Sequence, residues 1–288
     1  MKRIGFIGGA LALAAPRVAL GSTLQSAIER AAAASSGIVG VYARTMSPGQ
    51  PAVAFNADES FPTASIIKLL ILVTLYEHAE RDPSIFEHRL TTPDSEVVGG
   101  SPLFDSAPHD ATFSVATLAS AMIDASDNTA SNRLIDLLGF DAINATARAA
   151  GMHHTHLRRH FMDVHAMLYH SENVSTPRDM GVLLFEIERG WREGLRTVAS
   201  PRSCRRMIDI LLRQEDREKI GAGIPPGIPL ANKTGEITAV RNDIAIVDPY
   251  GDSPYVLAVL TKDLNNFALG VRAIRHIARA VHAQLYEK

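Results

Sequence analysis

Phe61-Pro62-Thr63-Ala64-Ser65-Ile66-Ile67-Lys68-Leu69-Leu70-Ile71-Leu72-Val73-Thr74-Leu75-Tyr76 is the stretch from which the rest of the chain is read, and Lys68 is its only charged residue. A run this apolar and free of glycine predicts a buried helix rather than an amphipathic surface one. Pro62 and Thr63 supply start signals just ahead of it. An ammonium inside such a run is costly unless it is paired or gives up its proton. Ser65 stands three residues earlier, one helical turn away on the same face. The pair sets a hydroxyl beside an amine of depressed basicity, at a helix N-terminus that favours developing negative charge. Taken alone, the stretch fits equally a lysine reaching out to water, with Ser65 an ordinary first-turn residue. Residues far away in the chain separate the two readings.

Working outward, Ser22 to Ala34 has helix composition, with Leu24, Ile28 and Ala31 on one face. Gly37 to Met46 is a β-branched run and Ala52 to Phe55 a short second one, so a hairpin leads into the buried helix. From there to about Pro201 the pattern is mainly helical: Ser114 to Ala125, Thr129 to Leu138 before Gly139, Thr176-Pro177 to about Arg189 before Gly190, and Ser203 to Leu212. Leu103 and Phe104, in a loop, are expected to be exposed and to flank a cleft or pack within the loop. Leu230 to Gly235, Val240 to Val247 and Tyr255 to Leu260 read as three successive strands, and Asn266 onward as a final helix. The expected class is α/β of the α+β type. An antiparallel sheet domain (22–61 and 213–288) carries flanking terminal helices, and an all-helical domain (62–212) is inserted in it, with a site at the junction.

The totals narrow the choices. The chain has 288 residues, 46% of them apolar, enough to bury a full core. Lys and Arg number 29 against 31 Asp and Glu, and no basic tract points to nucleic acid. No apolar run reaches the roughly 20 residues that cross a bilayer. Residues 1–21 read as a signal peptide: Lys2 and Arg3, an apolar stretch from Ile4 to Ala15, then Ala19-Leu20-Gly21 before Ser22. Its removal leaves 26 basic residues, hence a mildly acidic protein, expected to be periplasmic or secreted. The single cysteine, Cys204, forms no internal disulfide; its neighbouring arginines could activate it, but a structural thiol is the expectation. His153, His154, His156 and His160 are spaced closely enough to suggest zinc, yet lack a second ligand group at recognised spacing. No metal and no cofactor is expected. The partner is a small-molecule substrate, with neither nucleic acid nor membrane involved, and the protein is expected to be a monomer.

Three elements carry chemistry. Ser65-x-x-Lys68 supplies a nucleophile and an amine, Ser126-Asp127-Asn128 a second hydroxyl and an amide, and Lys233-Thr234-Gly235 a second ammonium, a hydroxyl and a glycine that lets backbone approach closely. Ser-Asp-Asn is also what a turn and helix cap look like. In this order, 61 and then 107 residues apart, the three resemble the motifs of class A β-lactamases and penicillin-binding proteins. The chain resembles the class A β-lactamase family, serine acyl-enzymes, over nearly its whole mature length.

A serine hydroxyl is a poor nucleophile until a base takes its proton. If Lys233 lies near Lys68, burial and like-charge repulsion lower a lysine pKa and make a neutral amine accessible. Ser126 would relay a proton to the leaving nitrogen, Asn128 would hold a substrate amide, and Thr234 with Lys233 would anchor a substrate carboxylate. By the resemblance, the N–H groups of Ser65 and Glu236 would receive the oxyanion. Arg241 is either a second carboxylate partner or a solvated strand residue.

The family deacylates with a glutamate in an Arg-x-Glu-x-x-Leu-Asn loop, and the corresponding stretch here, about Leu157 to Pro177, has none in that pattern. Counting back from Asn173-Val-Ser-Thr-Pro177 puts His160 at that place. His160 or Asp163 could serve as deacylation base, with His165 and Glu172 nearby, or Asp163 could simply pair with Arg158 or Arg159. The leading expectation is a serine hydrolase that opens β-lactam rings through an acyl-enzyme on Ser65. The alternatives are a penicillin-binding or esterase-like relative acting on peptidoglycan peptides or esters, and a sensor acylated without turnover.

Overall fold

The computed structural model describes residues 18–47, 49–50, 52–169 and 171–286, so most of the expected signal peptide lies outside the described residues. Helix α1 (Val18–Ala33) turns Leu24, Ile28 and Ala31 inward. Strands β1 (Ile38–Thr45) and β2 (Val53–Phe55) form the expected hairpin. A two-residue strand, β3 (Phe61–Pro62), comes next, then a single 3-10 turn (Ala64–Ile67) and helix α2 (Lys68–Ala79). The apolar run is thus not one helix from its start: Ser65 sits in the tight turn and Lys68 opens α2. Every residue of α2 through Tyr76 is buried, as its all-round hydrophobicity demands.

A small ribbon of β4 (Arg89–Thr91) and β5 (Thr112–Ser114) brackets the short helix α3 (Pro102–Asp105). Phe104 is buried there, edge-on to Phe113, rather than exposed on a cleft. Helix α4 (Val115–Asp124) is capped by Ser114, whose hydroxyl accepts the Thr117 N–H. Helix α5 (Asn128–Leu138) is capped by Asp127. Helices α6 (Phe140–Ala149) and α7 (Val164–Leu168) follow, then β6 (Val174–Ser175). Helix α8 (Pro177–Glu193) runs through Gly190, where it was expected to stop, and ends at the left-handed Gly194. Gly190 is there for packing: a Cβ would sit 2.6 Å from Thr197 Oγ1 and 2.8 Å from Cys204 Sγ. Helix α9 (Pro201–Leu211) buries Cys204, and burial pushes its thiol pKa up, so the arginines beside it do not activate it.

Strands β7 (Leu230–Ile237), β8 (Val240–Val247) and β9 (Tyr255–Lys262) lead to helix α10 (Phe267–Leu285). The sheet is antiparallel, five strands in the order β2-β1-β9-β8-β7, so the N-terminal hairpin is closed onto the C-terminal strands through β1 and β9. Alternation along the strands divides its two faces. Ala245, Val247, Leu257 and Val259 join Ile28, Ile274 and Ile277 beneath α1 and α10. Ile244, Ile246, Val256 and Ala258 join the core shared with α2, α4, α5, α8 and α9. The fold is therefore a sheet packed with terminal helices plus a helical domain. β7, at the sheet edge, lies against the turn that carries Ser65.

Candidate active site

Ser65 is positioned by three separate strands. β3 pairs with β6 (Phe61 with Ser175, Pro62 with Val174), and the Thr63 N–H donates to the Asn173 carbonyl at 2.9 Å. From β8, the buried Asn242 donates through Nδ2 to the carbonyls of Pro62 (2.9 Å) and Thr63 (3.1 Å). From β7, Gly235 comes so close that a Cβ would meet Thr63 O at 2.7 Å and the Ser65 and Ile66 nitrogens at 3.0 Å. Glycine is required here by approach, not by its own dihedrals. Ala64 adopts φ +47°, a left-handed strain taken up immediately before the half-buried serine.

Lys68 is wholly buried and has three acceptors: the Ser126 carbonyl at 2.6 Å, Ser126 Oγ at 3.2 Å and Asn128 Oδ1 at 2.8 Å. Burial first, and the Lys233 charge second, push its pKa well below the ordinary lysine value, with Asp127 opposing. Lys233, equally buried, donates to Ser126 Oγ at 3.0 Å and to the Thr234 carbonyl at 2.8 Å, and burial lowers its pKa to about 7. One hydroxyl, Ser126 Oγ, therefore joins two amines from opposite parts of the chain.

Ser126 reaches this place through a left-handed backbone (φ +58°), with Asp127 behind it accepting the N–H groups of Ala130 and Leu103 at 2.7 and 2.9 Å. Asn128 is held from the other side: its Nδ2 donates to the Gly99 carbonyl and its N–H to that of Gly100. A cleft of about 460 Å³ opens over these groups, lined among others by Ser65, Ser126, Asn128, Thr234, Gly235 and Glu236.

The loop from Leu157 to Ser175 is fastened by side-chain amides. Asn144 exchanges two hydrogen bonds with the Leu157 backbone and Asn132 two with that of Phe161, while Asn173 Oδ1 accepts the N–H groups of Arg158 and Arg159. This framework sets which side chain turns inward, and it is neither of the two expected. His160 faces Asp136, Nε2 to Oδ1 at 2.9 Å, and lies edge-on to Phe140. Asp163 accepts the Ala166 N–H at 2.9 Å, a cap for α7, and does not pair with the arginines; Arg159 pairs with Glu172 at 2.6 Å instead. The loop side chain over Lys68 is Phe161, with the ammonium nitrogen 4.4 Å from its ring centroid. Counting without gaps pointed to its neighbour His160, because register in this loop comes from Asn132 on α5.

Arg241 is largely engaged: it donates to the carbonyls of Ile237 and Val240 at 3.0 and 2.7 Å and lies over Phe267. Sequence reasoning also passed over Lys219. It stands in Asp216-Arg-Glu-Lys219, a run that looks solvated, yet its side chain is 1% exposed and holds Asp216 at 2.5 Å and Glu236 at 2.6 Å. Asp243, fully buried beneath, accepts the Ile220 N–H and an Asn232 amide hydrogen, and burial raises its pKa to about 7.

The model of the "Beta-lactamase enzyme family" matches residues 23–285. A β-lactamase of Streptomyces lavendulae is 30% identical over 264 residues, 88% of this chain and 83% of that protein. A β-lactamase structure from Sphaerobacter thermophilus superposes with a TM-score of 0.82 at 29% identity, covering 93% of this chain and 98% of that one. A single-substitution mutant of PBP-A, solved as its acyl-enzyme complex with penicillin G, also reaches 0.82, at 27% identity over 95% and 98% of the two chains.

Proposed function

The chain belongs to the class A β-lactamase family, and from that premise we propose that it is an exported serine hydrolase that takes β-lactams into an acyl-enzyme on Ser65. The observation that carries this reading is the bridge Lys68–Ser126–Lys233, two buried amines sharing one hydroxyl that lines the same cleft as Ser65. Burial and the Lys233 charge push the Lys68 pKa well below the ordinary lysine value, which makes the neutral, proton-accepting amine more accessible. It accepts the Ser65 Oγ proton as that oxygen bonds to the lactam carbonyl carbon. The N–H groups of Ser65 and Glu236 receive the oxyanion; the approach of Gly235 to the Ser65 nitrogen supports that pairing. As the C–N bond breaks, Ser126 Oγ gives its proton to the leaving nitrogen and regains one from Lys68. Asn128, Thr234 and Lys233 orient the substrate. Export rests on the basic start and apolar stretch of residues 1–15.

A second reading, a penicillin-binding or esterase-like relative acylated with little turnover, is favoured by one observation: Phe161, which can activate no water, lies over Lys68. A chromogenic cephalosporin assay run beside intact-mass measurement separates the two. Steady hydrolysis supports the first reading and a persistent adduct the second. Ser65→Ala is expected to abolish both signals; an undiminished adduct in that variant would place the nucleophile elsewhere.

A further inference from the structure

The anchoring end of the proposed cleft already contains a carboxylate supplied by the chain itself. Glu236 follows Lys233-Thr234-Gly235 on β7, and its side chain spans two cations: Oε1 lies 2.6 Å from Lys219 Nζ and Oε2 3.7 Å from Arg241 Nε. Lys219 does not depend on Glu236 for a partner, because Asp216 holds it at 2.5 Å. Burial works against the Lys219 charge, but its bonds to Asp216 and Glu236 outweigh that and raise its pKa, so it remains an ammonium. Lys219 and Arg241 are thus matched by Asp216 and Glu236, so these two cations offer no uncompensated charge to an anion anchored at Lys233. The Glu236 side chain is 47% exposed and lines the cleft, so it meets whatever enters.

We propose that Glu236 determines specificity: its carboxylate, held between Lys219 and Arg241, stands in the same cleft as the Lys233–Thr234 anchor, so it weakens binding of acyl donors that carry a carboxylate beside the scissile bond relative to neutral ones. This rests on the Ser65 reading above for where the scissile bond lies. An incoming carboxylate must displace Glu236 or sit against it, and like charges a few ångströms apart in a partly desolvated cleft repel. A neutral ester or amide meets no such charge.

Benzylpenicillin and its methyl ester differ in that one group. Their dissociation constants, measured by calorimetry on Ser65→Ala, are compared with those on Ser65→Ala/Glu236→Gln, so that no covalent step intervenes. The free acid is expected to bind at least about tenfold more tightly once Glu236 is neutral, with the ester changed by less than about twofold. An unchanged ratio, weaker binding of the acid, or no binding of either compound overturns the proposal. Glu236→Ala in the same background is expected to move the ratio the same way, with thermal melts confirming that each variant is folded. Intact-mass measurement of benzylpenicillin with the native protein reports separately on Ser65. A shifted binding ratio without an adduct there would sink the acyl-enzyme reading and leave the role of Glu236 standing.

Discussion

A single methylene chain's worth of burial decides what Lys68 can do. In water its ammonium would be useless as a base; here, burial and the neighbouring Lys233 push its pKa well below the ordinary lysine value, and three oxygens hold the nitrogen in place. Acylation is expected to rise as pH increases through the depressed Lys68 pKa, because only the neutral amine accepts a proton. It should fall again as pH passes about 7 and Lys233 loses the charge that anchors a carboxylate. Second-order acylation rates against pH, taken for a β-lactam and for its methyl ester, check this: the falling limb should be present for the acid and absent for the ester. Phe161 sets the other residue-scale expectation. Phe161→Glu would put a carboxylate beside Lys68 and is expected to shorten the acyl-enzyme lifetime by about 10²-fold, the usual scale of a positioned general base. A time course of adduct mass measures it, and an unchanged lifetime would mean that water is activated from another direction.

At the scale of elements, the nucleophile's turn has no strong local reason to adopt its shape and is held by its neighbours. Ala64 is in a left-handed conformation and Thr63 has no capping bond to offer the turn; β6, β7 and β8 supply the restraint. Asn242 on β8 is the clearest case, donating to Pro62 and Thr63 and accepting the Thr261 N–H at 2.8 Å. Asn242→Ala is expected to cost roughly 2–4 kcal/mol, since each buried group left without a partner costs about 1–3 kcal/mol. It should also slow acylation, although Asn242 touches no substrate group. Denaturant melts beside acylation rates test the pair of effects, and a destabilised variant with native acylation would show that the turn holds its shape unaided.

For the whole molecule, the site is divided between distant parts of the chain: Ser65 and Lys68 open the helical insert, Ser126 lies in its middle, and Lys233 follows it. The sheet brings the chemistry of β7 and β8 to the turn before α2: β1 pairs with β9, and β8 and β7 follow it outward. The core beneath α1 and α10 lies on the face of the sheet away from that junction. Ile28→Ala there should cost about 2–5 kcal/mol of stability while acylation by the folded protein stays within about twofold; a larger loss of rate, measured well below the melting transition, would mean that the far face transmits strain to the cleft. Much of this architecture was legible in the sequence, because a buried helix, β-branched strands and capping residues each leave a local periodic signature, and three short motifs in a fixed order carry a family resemblance. Residue types therefore determined the sheet and the helical domain, and singled out Ser65, Lys68, Ser126 and Lys233 as candidates. Only tertiary structure decided that Phe161 rather than His160 faces Lys68, that Gly190 lies inside α8, and that Lys219 is buried between Asp216 and Glu236. In each of those cases the deciding contact comes from a residue remote in sequence (Asn132, Cys204, the end of β7), and hydrogen bonding and steric contact of that kind leave no mark on the periodicity of the segment they control.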